Sequence, residues 1–196
     1  MIDYFALLGQ SRAPWLDPAS LKERFHKKTL QAHPDTQTGL GAADKTDATF
    51  AALNEAYQVL QDPKRRLQHL LALEGSAPSS TGQTVPRQLQ DLFPEVGSLT
   101  QQAHVLLEKI AATSNALGAS LLKSQILKLQ KETKAAREKL EKLNEESLAE
   151  LQALNKVWSE NPGKHLERLA DLYYTLAYLR RWTAQLEEVQ FQFSQH

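Results

Sequence analysis

The chain has 196 residues, 41% of them hydrophobic, with 23 basic and 23 acidic side chains and a formal net charge of zero. That length supports one or two small domains with cores of their own, and the charge balance excludes the broad basic field of a nucleic-acid binder. The absence of cysteine excludes disulfides and thiolate metal sites and fits a reducing, cytoplasmic setting. The six histidines are scattered without a pair at metal-ligand spacing. No apolar run approaches the length of a membrane span. Neither G-x-x-x-x-G-K-[ST] nor G-x-G-x-x-G occurs, so no nucleotide cradle and no cofactor are expected. Met1-Ile2-Asp3 lacks a basic leader, and no signal peptide is expected.

Asp3 to Gly9 reads as a short helix with Tyr4, Phe5, Leu7 and Leu8 for apolar contacts and Gly9 as its stop. After a loop over 10–17, Asp17 can cap a helix that has Pro18 in its first position. On it Leu21, Phe25, Thr29 and Ala32 share one face, with Phe25 as the core anchor. Lys22, Arg24, Lys27 and Lys28 face a single acid, Glu23, making this the one locally basic helix of the first 75 residues. Pro34 lacks an N–H and pushes His33 out of the helical region, so the helix should end at Ala32 or His33. Thr36 to Asp47 reads as a loop with Gly39 and Gly41, and a second helix runs from about Lys45 to Gln61. His33-Pro34-Asp35 therefore heads a helix–loop–helix hairpin. Phe50, Leu53, Tyr57 and Leu60 form the stripe expected to pack on Leu21 and Phe25. Asp62-Pro63 starts another helix, Lys64 to Leu73, whose Lys64, Arg65 and Arg66 put positive charge where the helix dipole disfavours it, a weak hint of a partner. Gly75 closes this part.

Ser76 to Pro86 has linker composition, uncharged, with small polar residues and two prolines. Beyond it the chain is helical. Arg87 to Leu117 is one helix or two, with Pro94 and Gly97 marking a kink or break. Ser120 to Trp158 is long, and Leu122, Ile126, Leu129, Thr133, Ala136, Leu140 and Leu143 make a coiled-coil seam that shifts phase to Leu148, Leu151, Leu154 and Trp158. Asn161-Pro162-Gly163 is a turn, and Lys164 to Phe193 the last helix. The expectation is an all-α chain: a domain over 1–75, a linker over 76–86, and an antiparallel three-helix bundle over 87–196.

The ordered set Asp3-Tyr4-Phe5, Leu8-Gly9, His33-Pro34-Asp35, Leu53-Asn54-Glu55-Ala56-Tyr57, Asp62-Pro63 and Arg66 resembles the J domain of DnaJ-type co-chaperones over roughly residues 2–74. A J domain followed by a helical bundle of this size, Arg66 with Leu70-Leu71-Ala72-Leu73-Glu74-Gly75, and Ala184-Gln185-Leu186-Glu187-Glu188 resemble the HscB family of iron–sulfur cluster assembly. No Gly/Phe-rich segment and no Cys-rich zinc module of a general DnaJ is present. The family often has Tyr at the position of Phe25, a basic residue at His26 and Leu at Lys28.

The resemblance implies a co-chaperone that binds a DnaK-type chaperone, stimulates its ATPase and delivers a client. The chaperone contacts would be His33, Pro34, Asp35, Lys22, Arg24, Lys27 and Lys28, with the Asp35 carboxylate accepting a charge-assisted pair. The family grips a cluster scaffold protein with a Phe-Leu-Met-Glu-like run. Here that region offers Leu89, Leu92, Phe93 and Val96, which either hold a client or seal the bundle end. Alternatives are an adaptor for a different client, or a structural protein self-associating through 120–158. No catalysis is expected: His33 and Asp35 are turn neighbours with no nucleophile or substrate pocket implied. Neither nucleic acid nor membrane is an expected partner.

Overall fold

The computed structural model describes residues 1–32, 42–78, 85–113 and 116–195, with the backbone alone for 42–48, 116 and 119. The described residues form helices and connecting turns, without a strand. They fall into two compact units, Met1–Gly82 with Leu148–Tyr173, and Gln83–Ser147 with Tyr174–His196.

In the first unit α1 spans Tyr4–Leu7, α2 Pro18–Gln31, α3 Ala42–Gln61 and α4 Pro63–Leu73. Their beginnings follow from local chemistry. The carboxylates of Asp3, Asp17 and Asp62 accept from the backbone N–H of Ala6, Ser20 and Arg65 at 3.1, 2.8 and 2.9 Å, and Pro18 and Pro63 occupy first-turn positions where no N–H is needed. The endings use glycine: Gly9 and Gly75 lie at φ +65° and +73°, and the next residues, Gln10 and Ser76, donate back to Phe5 and Leu71. The inner faces bury Phe5, Leu8, Leu21, Leu53, Ala56, Leu60, Leu67, Leu70 and Leu71.

Differences from the expected pattern have local causes. α3 begins at Ala42, three residues before the expected start, so the second half of the supposed loop is helical. Phe25 is half-buried, stacked on Tyr57 with ring centroids 4.5 Å apart. Phe50 is 44% exposed, because it lies nearer the loop end of the hairpin, where the apolar stripe of α2 runs out.

In the second unit α5 spans Leu92–Ala112, preceded by a 3-10 turn at Arg87–Leu89. The break thus falls before Leu92. Pro94 sits in the first helical turn, where the N–H groups have no intrahelical acceptor, so it neither kinks nor ends α5. Helices α6 (Ala116–Trp158) and α7 (Leu166–Ser194) contribute to both units: 116–147 and 174–194 belong to the second, whereas 148–158, 166–173 and the turn in which the Asn161 side chain accepts from Lys164 N–H belong to the first. The seam of α6 is buried at Ile126, Leu129, Thr133, Ala136 and Leu140, and α7 answers it with Leu179, Trp182, Leu186, Val189 and Phe193. At the phase shift the buried residue is Ser147, four after Leu143, rather than Leu148. Its hydroxyl returns to the Leu143 carbonyl at 2.7 Å, which lets a polar residue hold that place.

Candidate functional site: the basic face of α2

The sequence pattern puts the functional weight on α2 and the residues after it. His33, Pro34 and Asp35 lie outside the described residues, as do Gly39 and Gly41. The cations of α2 are all exposed. They have unequal surroundings. Arg24 Nη1 donates to the Gly9 carbonyl at 2.6 Å, and the Lys28 stem runs beside the same glycine. A Cβ on Gly9 would stand 3.7 Å from Arg24 Nη1 and 3.9 Å from Lys28 Cε. These two residues therefore clasp the end of α1, and Lys28 lays its aliphatic carbons there while its amine stays in water. Lys22 and Lys27 face solvent, and among the described residues none of the three lysines is paired with an acid. Leu30 is 70% exposed on this helix.

The other cationic cluster dissolves into structure. Arg66 is buried, donating from Nε to the Pro14 carbonyl at 3.0 Å and from Nη1 to the Leu60 carbonyl at 2.7 Å. Burial lowers its pKa to about 10, with Asp62 pulling the other way, so it stays charged at neutral pH. Arg65 pairs with Glu55 at 2.7 Å, and the Lys64 amine stands 5.9 Å from the centre of the Tyr173 ring. Of the cluster at 64–66, Arg66 is thus taken up inside the unit, while Lys64 and Arg65 have neighbours there and stay partly exposed. The signal was available, because Arg66 shares the 3–4 spacing of buried Leu67, Leu70 and Leu71.

Contacts that the pattern does not reveal join the 10–17 loop to the end of α6. The Trp158 indole N–H donates to the Arg12 carbonyl at 3.0 Å, and the Asn155 side chain accepts from Trp15 N–H at 3.3 Å. They link residues about 140 apart, and nothing in local spacing announces them.

In the second unit, of the residues expected to hold a client, Leu89, Leu92 and Val96 are buried in the bundle core. Phe93 is 54% exposed, its ring tilted against Trp182 with centroids 6.1 Å apart. Helical geometry explains the split: 92, 96 and 99 face inward, and 93 falls on the next face. Surface for a client in this run is restricted to Phe93 and its neighbours. Lys139 holds Glu95 at 2.7 Å beside it.

Among the described residues no group of three or more His, Asp or Glu gathers as a metal site, and no helix is long and apolar enough to cross a membrane.

Residues 3–69 match the family profile of the DnaJ domain. Over 66 residues the chain is 39% identical to the chaperone protein DnaJ of Caulobacter vibrioides, covering 34% of this chain and 16% of that protein. Over 86 residues it is 34% identical to the co-chaperone protein HscB of Proteus mirabilis, covering 43% of this chain and 50% of that one. The matched stretch thus spans half or less of these relatives. In fold, the chain superposes on human HscB with TM-score 0.51 at 19% identity, covering 95% of this chain and 81% of the human one. For HscB from Vibrio cholerae the TM-score is 0.52 at 19% identity, covering 97% and 99%. The chain carries an N-terminal DnaJ domain and, over nearly its whole length, resembles the HscB co-chaperones in fold.

Proposed function

We propose that this protein is a co-chaperone that binds a DnaK-type chaperone in the cytoplasm, stimulates its ATPase and presents a client, the client being a scaffold protein of iron–sulfur cluster assembly. The observation that carries the reading is the DnaJ-domain match over residues 3–69, which contains His33-Pro34-Asp35 immediately after a helix of exposed lysines. Asp35 offers a carboxylate to an arginine of the ATPase. Lys22 and Lys27 supply attraction that steers and orients an acidic partner surface. Arg24 and Lys28 do so from the clasp on Gly9. The bundle raises the client's effective concentration at the chaperone. A cluster, as cargo, would be held by the client's own side chains, since this chain has no thiol. Self-association through 120–158 is disfavoured, because the seam residues Ile126, Leu129, Ala136 and Leu140 are already buried within the chain.

The test is a single-turnover ATPase assay with a DnaK-type chaperone. Asp35→Asn should abolish stimulation while leaving the helical spectrum and melting temperature in place. Full stimulation by that variant would refute the proposal. For the client, Phe93→Ala should weaken co-purification of a cluster scaffold protein about tenfold, the scale of a contact worth roughly 1.4 kcal/mol. Undiminished capture would move the client site away from Phe93.

A further inference from the structure

Helix α1 has four residues, far below the length at which a helix holds itself together, so something else must seat it. Burial of Phe5 and Leu8 does part of this. A buried histidine of α4 does another part. Tyr4 N–H, one of the donors a helix start leaves over, donates to His69 Nε2 at 3.1 Å. The imidazole lies 4.6 Å from the Tyr4 ring and 5.8 Å from the Phe5 ring, centroid to centroid, stacked on both. Beside it Arg12 bridges the α1 cap Asp3 at 2.9 Å and Glu74, just past α4, at 3.3 Å.

We propose that His69, with the Asp3–Arg12–Glu74 relay, is a pH-responsive latch on α1, closed while the ring is neutral and released when it takes up a proton. An imidazole that accepts at Nε2 carries its proton on Nδ1. A second proton can only go to Nε2, which would then point an N–H at the Tyr4 N–H and lose the bond. The charged groups acting on the ring are Asp3, at the head of α1, and Arg12, from the 10–17 loop. Asp3 favours the proton, but its carboxylate is already engaged by Ala6 N–H and Arg12. Arg12 opposes it. Helix α3, which packs on both α1 and α4, has Leu53, Ala56 and Leu60 buried, and among its described side chains none adds a charge that acts on the ring.

Burial is the largest influence on the ring and lowers its pKa from the ordinary 6.5. The unfolded or unlatched ring therefore binds its proton first. The latch is at full strength above pH of about 6.5, weakens as pH falls through that value, and levels off below the lower, folded pKa. Release reaches the α2 face, because Arg24 is anchored on Gly9 at the far end of α1.

The experiment is amide exchange of residues 4–8 in the full chain, corrected for the intrinsic pH dependence of exchange, compared with Leu186 and Val189 in the second unit. Between about pH 7.5 and about pH 5, opening of residues 4–8 should rise several-fold over the α7 amides, about tenfold for each unit by which folding lowers the ring's pKa. His69→Gln keeps an acceptor without a titration and should flatten the response. Residues 4–8 that follow the α7 amides at every pH, or a His69→Gln chain with the same response as the parent, would overturn the proposal. Should that variant fail to fold, nitrogen NMR of the unaltered chain decides. A ring protonated at Nδ1 that titrates below the ordinary value, with the Tyr4 amide shifting in step, supports the latch. A ring that titrates at or above it, or leaves that amide silent, removes it.

Discussion

In the unit formed by 1–82 and 148–173, long polar side chains reach across the chain and end on backbone: Arg66 on Pro14 and Leu60, His69 on Tyr4, Trp158 on Arg12. In the unit formed by 83–147 and 174–196, the buried polar residues among the described ones are Thr133, Ser147 and Thr175, with the Nε of half-buried Arg137 also shielded from solvent. The Ser147 hydroxyl donates to the Leu143 carbonyl of its own helix, and the Thr175 hydroxyl accepts from the Gln88 amide at 2.8 Å. The difference follows from what each unit contains. A hairpin with irregular loops and short helices leaves carbonyls and N–H groups that need side-chain partners, whereas the interiors of long helices satisfy their own backbone and need only volume between them.

The sharpest way to break this comparison is to replace one buried polar residue of each unit with an apolar side chain of similar size. Arg66→Met keeps the packing volume but strands the Pro14 and Leu60 carbonyls. It should destabilise the protein by about 3 kcal/mol, each lost charge-assisted bond being worth roughly 1.5–3 kcal/mol before the methionine's own burial offsets part of it. Denaturant melts of the full chain measure this. A loss below about 1 kcal/mol would mean that water or a shifted loop replaces the guanidinium.

The smaller effect has the opposite sign. Thr133 is fully buried and its hydroxyl has no hydrogen-bond partner among the described residues. Thr133→Val removes an unsatisfied polar atom and should raise stability by about 1 kcal/mol. A midpoint lowered by the valine would show that the hydroxyl is satisfied in solution, and the two units would then be alike in using buried polar bonds.

Periodicity carried most of the fold. The Asp17 cap with Pro18 after it, the closing glycines Gly9 and Gly75 and the α6 seam up to Leu143 are local signals and sit where the spacing puts them, whereas Asp3 proves to cap its helix instead of opening it. Errors arose where local rules meet tertiary demand. Pro94 looked like a breaker but fell in the one turn that tolerates it. Ser147 rather than Leu148 continues the seam because its hydroxyl is satisfied internally. Phe50 follows the stripe but has too little helix opposite to cover it. At the candidate site, the exposure of Lys22, Lys27 and Lys28 was legible in helical spacing, and so was the inward turn of Leu92 and Val96 once the helix start is placed at Leu92. The clasp of Arg24 on Gly9, the guanidinium of Arg66 between two carbonyls and the seat of His69 were not, since each depends on a partner distant in sequence.

The indole of Trp158, fixed by its bond to Arg12, has a practical corollary. The chain's three tryptophans divide between the compact units, with Trp15 and Trp158 in one and Trp182 in the other. Each unit thus holds its own fluorophore. Replacing Trp182 alone, or the other two together, isolates the emission of one unit, so changes in each unit can be followed as separate optical signals without an attached dye.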